Sequence, residues 1–298
     1  MSDSPPRLFC FGLGFSARAL ARRRLADGWR VAGTTRDPAK AEALAAEGIE
    51  AFVFANGRPL EDPEAALAGT SHLLASAPPD AEGDPVLAAH GAAIAALPGL
   101  QWVGYLSTTG VYGNRAGGWV DEASALTPSG ERGRRRVAAE AAWLELHRRH
   151  GLPVHLFRLA GIYGPGRSQL DSVAGGRARR IVKPGQVFSR IHVEDIATVL
   201  EASMARPNPG AAYNVCDDEA ADPAEVVAFA AALLGLPAPP AVPFEEAGLS
   251  PMAASFYEDN KRVSNRRIKS ELGVVLRYPD YRSGLRALLA APEPGPGG

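Results

Sequence analysis

The sequence predicts an α/β fold: a doubly wound parallel β-sheet with a small, irregular C-terminal lobe for the substrate. Three observations predict this class. Apolar strand patterns alternate with helix patterns as far as residue 162, which is typical of a parallel sheet covered by helices. Several strand patterns are apolar at nearly every position, as in strands that are buried on both faces. A glycine turn also joins the first strand directly to the first helix.

The strands and helices of the first part of the chain alternate strictly. The strand patterns lie at residues 7–11, 29–34, 49–54, 71–76, 101–107 and 154–159. The first helix follows the glycine turn, with Ala17, Leu20, Ala21 and Leu25 at helical spacing. The later helix patterns lie at residues 37–47, 84–97 and 131–150.

The pattern becomes irregular after residue 162. Residues 164–186 hold many Gly and Arg residues and little apolar periodicity. Residues 237–243 are rich in proline and predict an extended linker. A strand is expected at 212–215, and helices are expected at 195–204, 223–234, 264–272 and 281–289.

These patterns predict two structural parts. Residues 1–163 and 190–216 are assigned to a cofactor-binding domain, and residues 164–189 and 217–290 to a substrate-binding lobe. The lobe should rest on the carboxyl edge of the sheet, where ligands of open α/β sheets bind. The tail at residues 291–298 is rich in Pro and Gly and is expected to be disordered.

The composition excludes several classes of protein. The 32 Lys and Arg residues nearly balance the 33 Asp and Glu residues, so the net charge of −1 gives no field that favours nucleic acid or an anionic membrane. No stretch approaches the roughly 18 apolar residues that a membrane span needs, and no signal-peptide pattern is present. Cys10 and Cys216 are expected to be buried thiols. We therefore expect a cytoplasmic protein that acts on a small molecule.

The glycine turn in LFCFGLGFSARAL (8–20) is typical of a site for the diphosphate of a dinucleotide. Gly12 permits a turn at positive φ, and Gly14 has no Cβ to keep a diphosphate away from the backbone. The N–H groups at the start of the helix favour an anion. The alternative is a tight strand–helix turn that binds no ligand. The predicted cofactor-binding residues of this turn are Gly12, Leu13, Gly14, Phe15, Ser16 and Ala17.

The end of the second strand favours NADP over NAD. An NAD site usually has Asp or Glu about 20 residues past the glycines. Here the strand is followed by Thr35 and Arg36, and the next carboxylate, Asp37, is expected to cap the following helix. Arg36 would pair with the 2′-phosphate of NADP, and Thr35 would donate a hydrogen bond to it. The alternative is an Arg that is simply solvated in a loop.

Small residues follow the fourth strand at Ser76, Ala77 and Pro78. At this place in such a sheet they would let the cofactor approach, and we expect them to contact it. The alternative is a proline turn with no ligand.

Four further segments resemble the extended short-chain dehydrogenases/reductases, the NAD(P)-dependent epimerase/dehydratase family. They are LSTTGVYG (106–113), RLAGIYGPG (158–166), IHVEDIA (191–197) and NKRVSN (260–265). Together with the glycine turn, they follow the order of that family over nearly the whole chain. The resemblance implies a Rossmann-type fold, a nicotinamide cofactor and a homodimer formed through the long helices that flank the fifth strand.

The catalytic motif of that family is incomplete in this sequence. The resemblance implies a Tyr-x-x-x-Lys motif at the start of the long helix, in which Tyr exchanges a proton with the substrate and Lys holds the nicotinamide ribose. When the segment is aligned on Glu140, Arg132 replaces the Tyr and Arg136 replaces the Lys. An Arg stays protonated and does not act as a general base. Since Gly161 also replaces the family's Asn, the sequence is similar to the atypical subgroup that lacks the Tyr.

The resemblance leaves two functions open. The first is an NADP-dependent oxidoreductase or epimerase with a non-standard proton donor. In that case Thr108 orients the substrate carbonyl, Arg136 donates to the ribose, and Tyr112, Tyr163 or a water supplies the proton. The alternative is a non-catalytic NADP-binding sensor or scaffold protein. Both tyrosines also fit purely structural positions.

A cluster of basic residues follows RLAGIYGPG, where this family contacts its substrate. The cluster would suit a phosphorylated or nucleotide-linked, and therefore anionic, substrate; a flexible solvated loop is the alternative. Nucleic acid fits poorly because no aromatic residues alternate with the arginines. A metal is not expected, because His147 and His150 have no third ligand nearby. The basic residues are Arg167, Arg177, Arg179, Arg180, Lys183 and Arg190.

Overall fold

The computed structural model describes residues 5–291 of the chain. The strands are β1 (Arg7–Phe11), β2 (Arg30–Thr35), β3 (Glu50–Val53), β4 (His72–Ala75), β5 (Trp102–Thr108), β6 (Trp119–Val120), β7 (Val154–Leu159), β8 (Gly161–Tyr163), β9 (Arg180–Val182), β10 (Arg190–His192), β11 (Ala212–Val215), β12 (Ala241–Pro243) and β13 (Arg262–Val263). The helices are α1 (Phe15–Ala26), α2 (Pro38–Ala46), α3 (Pro63–Leu67), α4 (Pro85–Ala95), α5 (Glu131–His150), α6 (Gln169–Ala174), α7 (Val193–Ala205), α8 (Pro223–Leu233), α9 (Pro251–Glu258), α10 (Arg266–Ser270) and α11 (Tyr281–Ala290). Apart from Ala291, the tail predicted to be disordered lies outside the described residues.

Seven strands form one parallel sheet in the order β11-β7-β5-β4-β1-β2-β3. The predicted doubly wound α/β fold is therefore confirmed. The chain winds outward from β1 in both directions, so the winding reverses between β1 and β4. In such sheets a ligand binds in the crevice at the carboxyl ends of the strands beside this point.

The central strands are buried on both faces, as their nearly continuous apolar patterns predicted. On one face α1 and α7 pack against the sheet, with Leu20 and Leu200 in the core. On the other face α4 and α5 pack against it, with Trp143 fully buried. Successive side chains of a strand point to opposite faces, so Cys10 lies in the first core and Phe11 in the second.

The C-terminal lobe has an apolar cluster of its own. The cluster joins α6, α8 and α11 and contains Leu170, Val226 and Leu285. Three two-stranded parallel pairs accompany it: β8 with β10, β9 with β12, and β6 with β13. Apolar residues within 268–276, however, belong to the core beside the sheet. Part of the segment 217–290, which the sequence assigned to the lobe, therefore packs with the sheet domain.

The long elements are present where the sequence predicted them, with small differences at their ends. The elements it missed are short, such as α3, α6, α9 and the paired strands of the lobe, and elements of this length show little periodicity. The proline-rich linker ends in β12, which pairs with β9. Both cysteines are buried and unpaired, as predicted. Every helix within residues 5–291 is too short or too polar to span a bilayer.

Candidate functional site

A cavity of about 1180 Å³ opens between the carboxyl edge of the sheet and the lobe. Residues that follow or end β4, β5 and β7 line its sheet side, including Ser76, Thr108 and Gly161. Ser16 at the start of α1 and Arg136 on α5 line the same side. The residues that line the lobe side include Phe188, Arg190, Tyr257, Lys261 and Tyr281.

The glycine turn is fixed to the sheet by its backbone. Gly12 has a φ of +88°, and its N–H donates to Oγ1 of Thr34 at 2.8 Å. The N–H of Leu13 donates to the carbonyl oxygen of Thr34, also at 2.8 Å. A Cβ on Gly12 would lie 3.2 Å from the backbone nitrogen of Ala77. The turn therefore presses against the end of β4 in a conformation that glycine adopts most readily.

The first turn of α1 is open on the side that a diphosphate would occupy. Gly14 precedes the helix and is exposed, and a Cβ built on it would meet no atom within 4 Å. The helix has no side-chain cap, and no acceptor within residues 5–291 binds the N–H groups of Phe15, Ser16 and Ala17. Unpaired N–H groups at the positive end of a helix bind anions. These residues therefore fit the diphosphate of a dinucleotide.

The residues predicted to meet the adenosine end of a cofactor are Thr35, which ends β2, and Arg36, which follows it. Asp37 caps α2 as predicted, since its carboxylate accepts from the N–H of Ala39 at 3.0 Å. Oγ1 of Thr35 accepts from the N–H of Asp37 at 3.3 Å. Arg36 is exposed, and neither it nor Thr35 is among the residues that line the cavity. The carboxylate of Asp37 is thus hydrogen-bonded to its own helix, whereas the guanidinium of Arg36 faces solvent.

The three small residues after β4 take different positions. Ser76 and Pro78 line the cavity. Ala77 instead supports the glycine turn, because its backbone is the nearest neighbour of the open side of Gly12.

Two of the predicted catalytic residues meet at the cavity beside the end of β5. Nη1 of Arg136 donates to the carbonyl oxygen of Leu106 at 2.5 Å and to the hydroxyl of Tyr105 at 3.1 Å. Oγ1 of Thr108 accepts from the N–H of Gly110 at 3.1 Å, so its hydroxyl proton is left for another acceptor. Both side chains line the cavity. They are therefore placed where a substrate and a ribose could reach them.

Tyr112, the third predicted catalytic residue, does not line the cavity. Its side chain is fully buried. The hydroxyl donates to Oδ1 of Asn214 at 2.7 Å and accepts from Nη1 of Arg158 at 2.9 Å. Burial raises the pKa of this phenol to about 12. This position is structural and does not suit the proton donor that the sequence suggested; Tyr163, in contrast, lines the cavity.

The structure divides the predicted basic cluster. Arg167, Arg177 and Arg190 line the cavity. The other three members do not line it. Two of them, Arg179 and Lys183, donate to backbone carbonyl oxygens of the lobe. The residues that do not line the cavity are Arg179, Arg180 and Lys183.

Arg167 lies at the cofactor end of the cavity. The centre of its guanidinium is 5.7 Å from the ring centroid of Phe15, the first residue of α1. A Cβ on Gly164 would lie 3.0 Å from Cζ of the same ring. The loop after β8 therefore brings a positive charge beside the open turn of α1.

Two tyrosines of the cavity were missed by the sequence analysis. Tyr257 lies on α9 and Tyr281 begins α11, and both line the cavity. The sequence predicts that residues 217–290 belong to a lobe at the carboxyl edge of the sheet, but no motif in it marks these two tyrosines as cavity residues.

Most of the chain matches one known protein family. Residues 12–216 match the NAD dependent epimerase/dehydratase family. The chain belongs to this family. The match begins at the glycine turn and ends after β11, so it covers every strand of the large sheet except β1.

Individual proteins similar to this member of the epimerase/dehydratase family are known. Protein YeeZ of Escherichia coli strain K12 is 29% identical over 280 residues, which are 90% of this chain and 95% of YeeZ. A solved structure of a functionally unknown conserved protein from Silicibacter pomeroyi DSS is 57% identical, with a TM-score of 0.90, over 97% of this chain and 100% of that one. The structure of MoeE5 in complex with UDP-glucose and NAD has a TM-score of 0.77 at 20% identity, over 95% and 97% of the two chains. MoeE5 therefore shares the fold.

Arg132, which the sequence alignment sets at the position of the family's tyrosine, lies at the start of α5. Arg132 is the second residue of that helix, is exposed and lines the cavity. A Cβ on the neighbouring Gly133 would lie 2.6 Å from Cβ of Pro128, so the start of α5 is packed closely against the loop before it. The epimerase/dehydratase fold is thus complete around a position that carries a guanidinium in place of a phenol.

A buried polar network under the cavity was also missed. Oγ of Ser107 donates to Oε1 of Glu140 at 2.5 Å. Nη2 of Arg158 donates to Oε2 of the same carboxylate at 2.8 Å. A charged residue in an apolar strand, Arg158, and another on the helix that covers the strand, Glu140, could have indicated a pair from the sequence.

Metal-binding groups are not assembled in the described part of the chain. Within residues 5–291, no three His, Cys, Asp or Glu side chains are grouped to hold a metal ion. His147 and His150 lie in the last turn of α5, as predicted. The imidazole Nδ1 of His147 lies 2.8 Å from the carbonyl oxygen of Leu152, a hydrogen bond that closes the helix end.

Proposed function

We propose that this protein is an NADP(H)-dependent oxidoreductase or epimerase of the short-chain dehydrogenase/reductase type. Its substrate is a small carbonyl compound that is phosphorylated or nucleotide-linked. One observation carries the proposal: a single cavity joins Ser16 at the open turn of α1, Thr108 and Arg136 at the end of β5, and Arg190 in the lobe. A cofactor on the glycine turn and a substrate in the lobe would share this space.

The residues of the cavity can be given chemical roles. A bound nicotinamide supplies or accepts the hydride. Thr108 orients the substrate carbonyl by donating its hydroxyl proton, and Arg136, always protonated, donates to the ribose hydroxyls. Because Arg132 replaces the usual tyrosine, the proton must come from another hydroxyl or from water. Burial raises the pKa of Tyr163 because it disfavours the phenolate, so this phenol stays protonated and can donate a hydrogen bond to a substrate oxygen.

The choice of NADP over NAD depends on the end of β2. Arg36 is exposed there, and the carboxylate of Asp37 accepts from the N–H of Ala39 in its own helix. A guanidinium attracts the 2′-phosphate of NADP, whereas NAD sites usually present a free carboxylate.

A second function is favoured by one observation. Arg132 lines the cavity where the family resemblance requires a tyrosine, and the buried Tyr112 does not replace it. A protein with this site could bind NADP and respond to it without transferring a hydride, as a sensor or scaffold does.

The two functions differ in one experiment. The purified protein is incubated with NADPH or NADP and a panel of aldehydes, ketones and sugar nucleotides. The absorbance of NADPH reports net hydride transfer, and chromatography of the sugar nucleotides reports epimers, because an epimerase returns the hydride and leaves the absorbance unchanged. Either change counts as turnover. Turnover that requires a member of the panel supports the enzyme and rules out the sensor. Saturable NADPH binding with no turnover across the panel supports the sensor instead. Absence of nicotinamide binding contradicts both.

A further inference from the structure

Arg190 reaches the cavity across a position that carries no side chain. β8 and β10 pair in parallel, with Arg190 opposite Gly161. A Cβ on Gly161 would lie 3.7 Å from Cγ of Arg190 and 3.3 Å from the carbonyl oxygen of Ser189. The family resemblance implies an Asn at this position. Its replacement by glycine therefore leaves space for the stem of Arg190.

The guanidinium of Arg190 is mostly buried and only partly bonded. Nη1 donates to the carbonyl oxygens of Phe188 at 2.8 Å and Ala221 at 3.2 Å. Within residues 5–291, no carboxylate oxygen lies within 4.0 Å of this guanidinium, and Nε and Nη2 make no hydrogen bond. A buried charge is normally paired, since its removal from water is unfavourable. The side chain thus has donors left for a ligand in the cavity.

Asp217 is the acidic residue whose charge acts most strongly on Arg190, but it forms no ion pair with this guanidinium. Burial raises the pKa of this carboxyl well above its usual range, against the opposing effect of Arg190. Oδ2 of Asp217 is buried and has no hydrogen-bond partner. Within residues 5–291, Asp217 thus makes no ion pair with the guanidinium.

Three phenols line the same cavity as this guanidinium. Burial raises the pKa of Tyr163, Tyr257 and Tyr281, and the nearby charge of Arg190 acts on each in the opposite direction. The hydroxyl of Tyr163 has one long hydrogen bond, 3.5 Å to the carbonyl oxygen of Asp280. Neutral phenols and a guanidinium are all hydrogen-bond donors, which together suit an oxyanion.

We infer that Arg190, with Tyr163, Tyr257 and Tyr281, binds an anionic group of the substrate, either a carboxylate or a phosphate. The inference rests on the proposed function, since it assigns a chemical class to the substrate of that same cavity. It selects one member of the predicted basic cluster, of which Arg177 also lines the cavity. Arg167 lies beside the start of α1 at the cofactor end, and Arg179 and Lys183 hold the lobe together.

The test is a calorimetric titration of the NADPH-saturated protein with three probes: inorganic phosphate, UDP-glucose and UDP-glucuronate. The two nucleotides differ by one carboxylate on the sugar. Arg190→Met removes the charge, and Arg190→Lys keeps the charge without the planar fork. Arg286→Met is the matched control, because it removes the same charge from an exposed position in the lobe that does not line the cavity.

We expect Arg190→Met to weaken probe binding roughly ten- to a hundredfold, Arg190→Lys to weaken it less, and Arg286→Met to leave it unchanged. If Arg190→Met weakens the binding of UDP-glucuronate alone, the bound group is the carboxylate. If it weakens the binding of both nucleotides, the bound group is a phosphate. The inference is overturned if no probe binds the NADPH-loaded wild type, or if Arg190→Met and Arg190→Lys bind as the control does. NADPH fluorescence, measured in parallel, separates this failure from failure of the proposed function, in which NADPH itself does not bind.

Discussion

Arg158 and Glu140 form an ion pair of 2.8 Å directly under the candidate site, and their side chains are only 6% and 3% exposed. The pair joins β7 to α5. Arg158 also donates to the hydroxyl of Tyr112, and Glu140 accepts from Ser107 at the cavity wall. The end of β5, which carries Ser107 and Thr108, is therefore tied to the helix that carries Arg136.

We expect Glu140→Gln to lower the free energy of unfolding by about 3–5 kcal/mol, because it leaves the Arg158 charge buried without its counter-ion. Urea denaturation measures this change. Glu145→Gln is the control on the same helix: Glu145 pairs with Arg148 and Arg149 at exposed positions, so its loss should change stability by less than about 1 kcal/mol. Equal effects of the two substitutions would contradict the role given to the buried pair.

Gly284 of α11 determines where the ring of Tyr163 can lie. A Cβ on Gly284 would overlap the hydroxyl of Tyr163 and lie 2.7 Å from its Cε2. Gly284→Ala should therefore destabilise the protein by about 1–3 kcal/mol through overpacking. In a Tyr163→Ala background the same substitution should not lower the free energy of unfolding, because alanine is a better helix former than glycine. A double-mutant cycle by thermal unfolding checks this, and purely additive effects would refute the contact.

Arg36→Asp should reverse the cofactor preference. The wild type is expected to bind NADPH more tightly than NADH, and the variant should lose most of its NADPH affinity because a carboxylate repels the 2′-phosphate. Lys40→Asp makes the same change of charge at a different exposed position, on α2, and should change the NADPH affinity much less. Competitive titration with both cofactors measures the ratio of the NADPH and NADH affinities in each protein. Tighter binding of NADH by the wild type would show that the NADP assignment is wrong.

His155 should make stability depend on pH. Its imidazole is fully buried, Nε2 accepts from the N–H of Asn208 at 2.9 Å, and burial lowers its pKa to about 4. An unfolded histidine titrates near 6.5, so between these values the unfolded state binds the extra proton and stability falls as the pH falls.

Between pH 7 and pH 5 this single group accounts for a loss of about 2 kcal/mol. His155→Gln should remove that part of the pH dependence, whereas His150→Gln, at an exposed helix end, should not. Chemical denaturation at pH 7 and pH 5 measures, for each protein, the slope of the free energy of unfolding against pH. An unchanged slope in His155→Gln would mean that the imidazole is protonated in the folded protein.

The sequence predicted the large sheet well and the lobe poorly, for a physical reason. Strands such as β1 and β7 are buried on both faces and helices such as α5 are long, so their side-chain patterns repeat often enough to be recognised. The paired strands of the lobe have two or three residues each, as in β6 and β13. Their pairing depends on contacts between distant segments, which local periodicity does not contain.

The candidate site shows the same division. Residues fixed by local geometry, such as Gly12 at positive φ and Asp37 as a helix cap, were predicted correctly. Tyr112 could not be placed, because its burial depends on Arg158 and Asn214 from other strands. The homodimer and the cytoplasmic location stay predictions.

The dinucleotide site at the glycine turn is tested most directly by a fluorescence titration of NADPH against the wild type and Gly14→Val. A Cβ at Gly14 meets no protein atom within 4 Å, so the variant should fold with a free energy of unfolding within about 1 kcal/mol of the wild type. Its side chain would nevertheless occupy the space over the open turn of α1. We predict saturable binding to the wild type and at least about tenfold weaker binding to the variant. Absence of binding to the wild type at millimolar NADPH and NADH, or equal affinity of the two proteins, would contradict a dinucleotide at this turn.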